Sequence, residues 1–295
     1  MSSRNITNIP ASVRVKLLNK ARKNKRPFKE ILQYFAMERF LYRLSISQHS
    51  HKFFLKGAFM FTAWNFNEHR ATMDIDMLAK TSNDLENLVS IVQEICELRP
   101  DIDDGIIFDG QSVIGKESQV NREYAGIQLK FYGKLNNARF QMKLDIGFGD
   151  IIFPSPASIA YPTILEFPYP HLRGYTVETV IAEKFETIVS RGLDNSRMKD
   201  FYDIWTLLRQ INFKKSDLFK SIRLTFSNRH TNLNKNSIQD LKLLGESELK
   251  EKQWKHFIRK GHFSFQIPSF KEIVNEISFL LSSFALEVNK EESLD

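Results

Sequence analysis

Residues 69–79 read HRATMDIDMLA, with Asp74 and Asp76 separated by one apolar residue inside a hydrophobic run. Side chains alternate along a strand, so the two acids share one face while Ile75 and Met77 share the other. Two like charges about 7 Å apart repel and resist loss of water, so a buried site tolerates them only beside a cation. A divalent metal is such a cation, although two acids at this spacing also occur as ordinary exposed strand charges. FQMKLDIGFGD supplies a third acid, because alternation sets Phe140, Met142 and Leu144 against Lys143 and Asp145. On a neighbouring strand, Asp145 would complete the donor set for two metals about 3.5–4 Å apart, the arrangement for in-line phosphoryl or nucleotidyl displacement. Asp150 is a weaker candidate, since in GFGD it reads equally as a turn residue.

Three further pieces carry charge where it is costly or useful. LKGA (55–58) puts Gly57 at a strand-to-helix turn with Lys56 beside it, where backbone N–H groups either meet a phosphate or simply close a turn. In ETVIAEKFETIVSRG, Lys184 falls between Val177, Ile181 and Ile188 on a helical wheel, on the apolar stripe. Its ammonium either snorkels to water or reaches a phosphate or carboxylate at the end of its stem. NSRMKDFYDIWTLL sets Asp200 and Asp203 on one side of a helix, and Asp200 keeps the plain alternative of a helix-dipole partner.

Other chemistries lose support. The seven His show no metal-ligand spacing, and no GxSxG, Walker A or GxGxxG pattern occurs. Trp64, Trp205 and Trp254 lie among apolar neighbours and read as core. A single Cys96 excludes a disulfide framework and fits a reducing cytosol, the expected location. No window matches a membrane span or an apolar signal core.

With 295 residues, 42% of them hydrophobic, the chain can fill one large core or two modest ones. The net charge of +7 is uneven, because residues 1–29 hold nine basic residues and no acid. VRVKLLNKARKNKRPFK reads as a solvated helix face, a phosphate-contacting patch or an acid-poor transit peptide. Periodicity predicts helices over 11–23 and 28–44, broken at Pro27, then a short strand leading into a helix over 53–64. The acidic strand follows at 72–78, and an amphipathic helix at 82–98 takes Ser82 as its cap. After Pro100 come strands around GIIFD, REYAGIQLKFYG and ARFQMKLDIGFGD, the last two joined by the hairpin turn KLNNAR. A proline-marked irregular crossing spans 153–172, and helices are expected at 176–191, 197–210 (capped by Asn195 or Ser196), 214–226, 235–258 and 268–286. The division predicted is a basic helical segment (1–45), an α/β core (46–172) and a helical C-terminal lobe (173–295).

Taken in order, LKGA, RATMDIDML, KLDIGFGD, ETVIAEKFETIV and SRMKDFYDIW resemble the AbiEii-type nucleotidyltransferase toxins, a branch of the DNA polymerase β-like nucleotidyltransferases. The resemblance covers roughly residues 10–260 and implies a mixed β-sheet core flanked by helices, followed by a mainly helical lobe. It implies catalytic roles for Asp74, Asp76, Asp145, Lys184 and Asp200, the first three as ligands of two Mg²⁺. It places Lys56, Gly57, Arg70 and Thr72 at the nucleotide, with Gly57-Ala58-Phe59 standing where relatives carry Gly-Gly or Gly-Ser. The implied activity is transfer of a nucleoside monophosphate from an NTP to RNA, at the 3′ end of tRNA in several members, as a toxin of bacterial phage defence. A cognate antitoxin of the DNA-binding repressor kind, which need not contact the toxin stably, is the implied partner. A small-molecule or protein hydroxyl as acceptor, and a catalytically silent nucleotide- or RNA-binding protein on the same fold, stay open as alternatives.

Overall fold

The computed structural model describes residues 8–66, 72–118, 126–232, 235–261, 263 and 265–292. The chain forms two compact units, one of residues 1–149 with 157–174 and one of residues 150–156 with 175–295.

The first unit opens with α1 (Ile9–Lys23) and α2 (Phe28–Ile46). Val13, Leu17 and Ala21 recur every four residues and are buried, which leaves Lys16, Lys20, Arg22 and Lys23 facing solvent. The sheet consists of β1 (Phe53–Lys56), β2 (Ile75–Ala79), β3 (Ile106–Ser118), β4 (Gly126–Leu135), β5 (Ala138–Gly147), β6 (Ala157–Ala160) and β7 (His171–Gly174). Its order is β3-β4-β5-β2-β1-β7-β6. The sheet is mixed: β2 runs parallel to β5 and β1 parallel to β7, while the other neighbours pair antiparallel. A short helix, α3 (Phe59–Ala63), follows β1, and α4 (Leu85–Glu97) packs on β3.

Alternation divides the sheet into two faces. Leu129, Phe131, Met142, Leu144, Ile146, Ile75 and Met77 are buried together, and Phe40 of α2 packs its ring among Phe108 and Phe131. Arg43 is buried as well, where it forks two N–H donors onto Asp104 at 2.7 and 3.0 Å and donates to the Ile106 carbonyl. This pair ties α2 to the start of β3, and losing either partner would strand a buried charge at a cost of about 3–5 kcal/mol. Cys96 lines the same core, and burial pushes its thiol up to about 12, far from a reactive thiolate.

The second unit contains α5 (Val177–Arg191), α6 (Met198–Gln210), α7 (Lys215–Asn228), α8 (Lys235–Glu246), α9 (Glu248–Gly261) and α10 (Phe270–Glu292). α5 packs on α6 and α7, and α10 packs on α6 and α8. Phe201, Trp254 and Phe270 pack at its centre, with the Phe201 and Phe270 rings edge to face.

The structure departs from the sequence expectations at identifiable points. The crossing at 153–172 contains β6 and the first half of β7, four-residue strands too short for alternation to show. The helix expected over 235–258 breaks at Ser247 into α8 and α9. The cap of α4 is Asp84, whose carboxylate accepts from the Asn87 amide, while Ser82 accepts from the Asp84 amide. At α6 the N-cap is Arg197, with no side-chain cap, and Asn195 instead accepts from the Arg197 amide.

Candidate active site

Strand register assembles the first constellation. Parallel pairing of β2 with β5 sets Asp76 opposite Asp145, and antiparallel pairing of β1 with β2 sets Lys56 opposite Asp76. Gln128 of β4 stands opposite Asp145, and Lys116 of β3 opposite Gln128. Residues facing each other across a ladder point to the same side, so Lys116, Gln128, Asp145, Asp76 and Lys56 form one row across five strands.

Asp74 lies just before β2, and the Lys143 ammonium donates to its Oδ2 at 2.8 Å. The same ammonium lies 3.1 Å from Asp145 Oδ2, and Gln128 donates to Asp145 Oδ1 at 2.8 Å. Burial works to lower the Lys143 pKa, but the two carboxylates outweigh it and hold the ammonium above the usual lysine range. Thr72 donates its hydroxyl to the Asp74 carbonyl at 3.3 Å and its amide to Tyr34 Oη at 3.0 Å, fixing the approach to β2.

Gly57 shapes the other end. Its φ of +68° lies in the left-handed region, and a Cβ there would stand 2.1 Å from Asp76 Oδ2. The Asp76 carboxylate therefore lies directly over a position that only glycine can fill. The helix that follows, α3, has five residues, too few to offer a substantial dipole to a phosphate.

The second constellation lies within the second unit. Lys184 is 13% exposed at its side chain and meets carboxylates: Asp200 Oδ1 at 2.9 Å and Asp203 Oδ2 at 2.8 Å, each acid 1% exposed. Arg197 also donates to Asp200 at 2.6 Å. Burial would raise the Asp200 pKa, but Lys184 and Arg197 overcome it and hold the carboxyl well below the ordinary range. Lys184 engages both acids equally closely, so geometry distinguishes Asp200 only by its added arginine. Asp150 belongs to another buried ion cluster of this unit, where Arg229 pairs with it at 2.7 Å, with Glu183 at 3.0 Å and with Glu186 at 2.6 Å.

Thus Lys56, Gly57, Thr72, Asp74, Asp76 and Asp145 come together in the first unit, and Lys184 with Asp200 in the second; Arg70 lies outside the described residues. Sequence reasoning missed Lys143 and Gln128 as members of the first group. The available signal was the two-residue spacing of Lys143 from Asp145 in KLD, which places both on one face.

The donor set of the acid row is wholly carboxylate oxygen, the chemistry that suits a hard divalent cation. Among the described residues no group of three or more His, Cys, Asp or Glu already stands in metal-holding geometry. Nevertheless Asp74 and Asp145 converge on a single positive charge, the Lys143 ammonium, so the carboxylates fit such an ion.

A mixed sheet thus presents a row of carboxylates next to a glycine turn. The chain belongs to the AbiEii family, described as nucleotidyl transferase AbiEii toxin, Type IV TA system, which matches residues 39–276. It is a nucleotidyltransferase, and a toxin family of that system implies a cognate antitoxin. Two solved structures from Helicobacter pylori are similar to it. JHP933 shares 15% identity over 87% of this chain and 92% of its own, with a TM-score of 0.46. A protein described as a candidate nucleotidyltransferase shares 14% identity over 88% of this chain and 96% of its own, with a TM-score of 0.48. No curated protein matches the sequence. Among the described residues no helix is long and apolar enough to cross a membrane.

Two outcomes follow from this geometry. Gly57→Ala forces the Asp76 carboxylate aside, so nucleotidyl transfer falls at least tenfold while stability drops by at least about 1–2 kcal/mol, the cost of a left-handed non-glycine residue before the clash is added; initial rates and a urea titration measure the two. Lys184→Met leaves two buried carboxylates short of a cation and costs roughly 3–5 kcal/mol at neutral pH. Because the Asp200 pKa is depressed in the folded protein, its stabilisation is present above the usual aspartate range and disappears as pH falls through the folded value. The deficit of Lys184→Met therefore narrows in urea titrations below about pH 4, where protonated carboxyls tolerate burial.

Proposed function

We propose that the protein transfers a nucleoside monophosphate from an NTP to an RNA acceptor, the 3′ end of tRNA, with release of pyrophosphate, and that it acts so as the toxin of a phage-defence pair. The observation that carries this reading is the pairing of Asp76 with Asp145 on adjacent parallel strands, with Asp74 on the same face.

Asp74, Asp76 and Asp145 would hold Mg²⁺, two ions in this reading, which when bound offsets the triphosphate charge and eases ionisation of the acceptor hydroxyl. Lys56, at the end of the row, supplies positive charge to the triphosphate, and Gly57 permits the backbone a close approach. Thr72 anchors Asp74 through its carbonyl and presents its hydroxyl beside the nucleotide. Gln128 keeps Asp145 oriented, so that the acid is spared a search among rotamers. Lys184, paired with Asp200 and Asp203, is assigned stabilisation of phosphate charge. The exposed Lys16, Lys20, Arg22 and Lys23 of α1 support an RNA acceptor, since they can attract a phosphate backbone without reading sequence.

The test incubates the protein with Mg²⁺, total tRNA and each α-labelled NTP, beside an Asp76→Asn control. The expected result is label on tRNA that falls roughly 1000-fold in the control, equivalent to about 4 kcal/mol of lost transition-state stabilisation. Mg²⁺-dependent NTP binding without labelled RNA would move the acceptor to a small-molecule or protein hydroxyl. Absence of Mg²⁺-dependent NTP binding would overturn the enzymatic roles given to the acid row and favour a silent binding protein.

A further inference from the structure

The register that builds the acid row also builds the surface beside it. Moving along β5 away from Asp145, alternate residues on the same face are Lys143, Gln141 and Arg139. Their partners on β4 are Lys130, Tyr132 and Lys134, and Ile114 and Asp109 of β3 continue the Lys130 and Tyr132 rows. The rows lie about 7 Å apart, so Tyr132 stands roughly 13 Å along the strands from Asp145. Tyr132 is 51% exposed, and its hydroxyl accepts a hydrogen bond from Gln141 Nε2 at 3.0 Å. This holds a flat aromatic ring at the surface between a row containing Lys130 and one containing Lys134 and Arg139. Lys134 and Arg139 are exposed, and Ile114 adds exposed apolar surface next to Lys130.

We propose that this open face of β3, β4 and β5 is a platform for single-stranded RNA that delivers the acceptor 3′ end to the acid row. The proposal rests on the RNA-acceptor reading above and adds the surface that binds the acceptor. A base stacks on Tyr132, and the phosphates on either side meet Lys130, Lys134 and Arg139. The occupant is nucleic acid because the cations alternate with an aromatic ring along one line, and because that line ends at the residues assigned to phosphoryl chemistry. Asp109, the acid of the Tyr132 row, lies on the edge strand beyond the ring as seen from β5. Single strands are favoured over duplex because stacking on a side-chain ring requires a base with a free face.

Fluorescence anisotropy of the full-length protein with a fluorescein-labelled single-stranded RNA bearing a free 3′-hydroxyl tests the surface. Tyr132→Ala should weaken binding about tenfold, whereas Tyr132→Phe, which keeps the ring, should leave it within about twofold of the wild type. Lys134→Glu combined with Arg139→Glu should weaken binding at least tenfold and flatten its salt dependence, with Mg²⁺·NTP binding unchanged in every variant. Equal RNA affinity throughout would overturn the proposal and leave a protein as the occupant of the face. Binding that falls on Lys20→Glu but not on the sheet substitutions would overturn it too, placing the RNA on α1. Failure of the two readings is separable: Asp76-dependent labelling of tRNA with an unchanged KM in Tyr132→Ala sinks the surface alone. Tyr132-dependent RNA binding without any labelled tRNA sinks the acceptor reading and, with it, delivery of a 3′ end, and leaves the face as an RNA-binding surface.

Discussion

Parallel pairing of β2 with β5 sets two carboxylates, Asp76 and Asp145, opposite each other on strands about 4.8 Å apart. At an effective dielectric of 20, two unit charges at about 5 Å repel by roughly 3 kcal/mol, and Asp74 adds to the burden. The surroundings answer this repulsion. Lys143 bridges Asp74 and Asp145, Gln128 donates to Asp145, and Lys56 ends the row beside Asp76. Gly57 removes the side chain that would collide with the Asp76 carboxylate. Displacing β2 by one residue would instead turn Asp74 and Asp76 to the face of Leu144 and Ile146, so hydrophobic burial on one face enforces the electrostatic arrangement on the other.

The second unit meets the same problem with burial instead of exposure. Lys184 sits between Asp200 and Asp203, and Arg229 between Asp150, Glu183 and Glu186, all with little access to water. Buried ion groups add little stability over a well-packed apolar core but are costly to break, so they fix one arrangement of α5, α6 and α7. Lys184 accordingly carries a structural burden whatever it contributes to chemistry, and its substitution must be judged on stability and on rate together.

Much of this architecture was legible in the sequence where local pattern determines it. The alternation in FQMKLDIG gave the face of Asp145, and the hydrophobic run of HRATMDIDMLA gave that of Asp74 and Asp76, because both strands have one buried side. The turn at Gly57 followed from an isolated glycine after a strand, whereas an ammonium on an apolar stripe left water, phosphate and carboxylate open for Lys184, and the fold supplies Asp200 and Asp203. What local pattern does not encode is which strand lies beside which. The bridging role of Lys143 depends on the β2–β5 pairing of segments some seventy residues apart, and the platform around Tyr132 depends on β4–β5 register. The prolines of 153–172 concealed β6 and β7, which close the far edge of the sheet where proline is best tolerated. Gly245, two residues before the break at Ser247 between α8 and α9, was the local signal for it.

We propose that Asp74, Asp76 and Asp145 form a site for a divalent cation in which Lys143 serves as the internal counterion. Mn²⁺ affinity, followed by the loss of the free-ion electron paramagnetic resonance signal, measures it without recourse to catalysis. Lys143→Met should bind Mn²⁺ at least several-fold more tightly than the wild type, and Asp76→Asn at least tenfold more weakly. Equal affinity in all three proteins would contradict the account, because a row that neither gains from losing its ammonium nor suffers from losing a carboxylate is not where the metal binds.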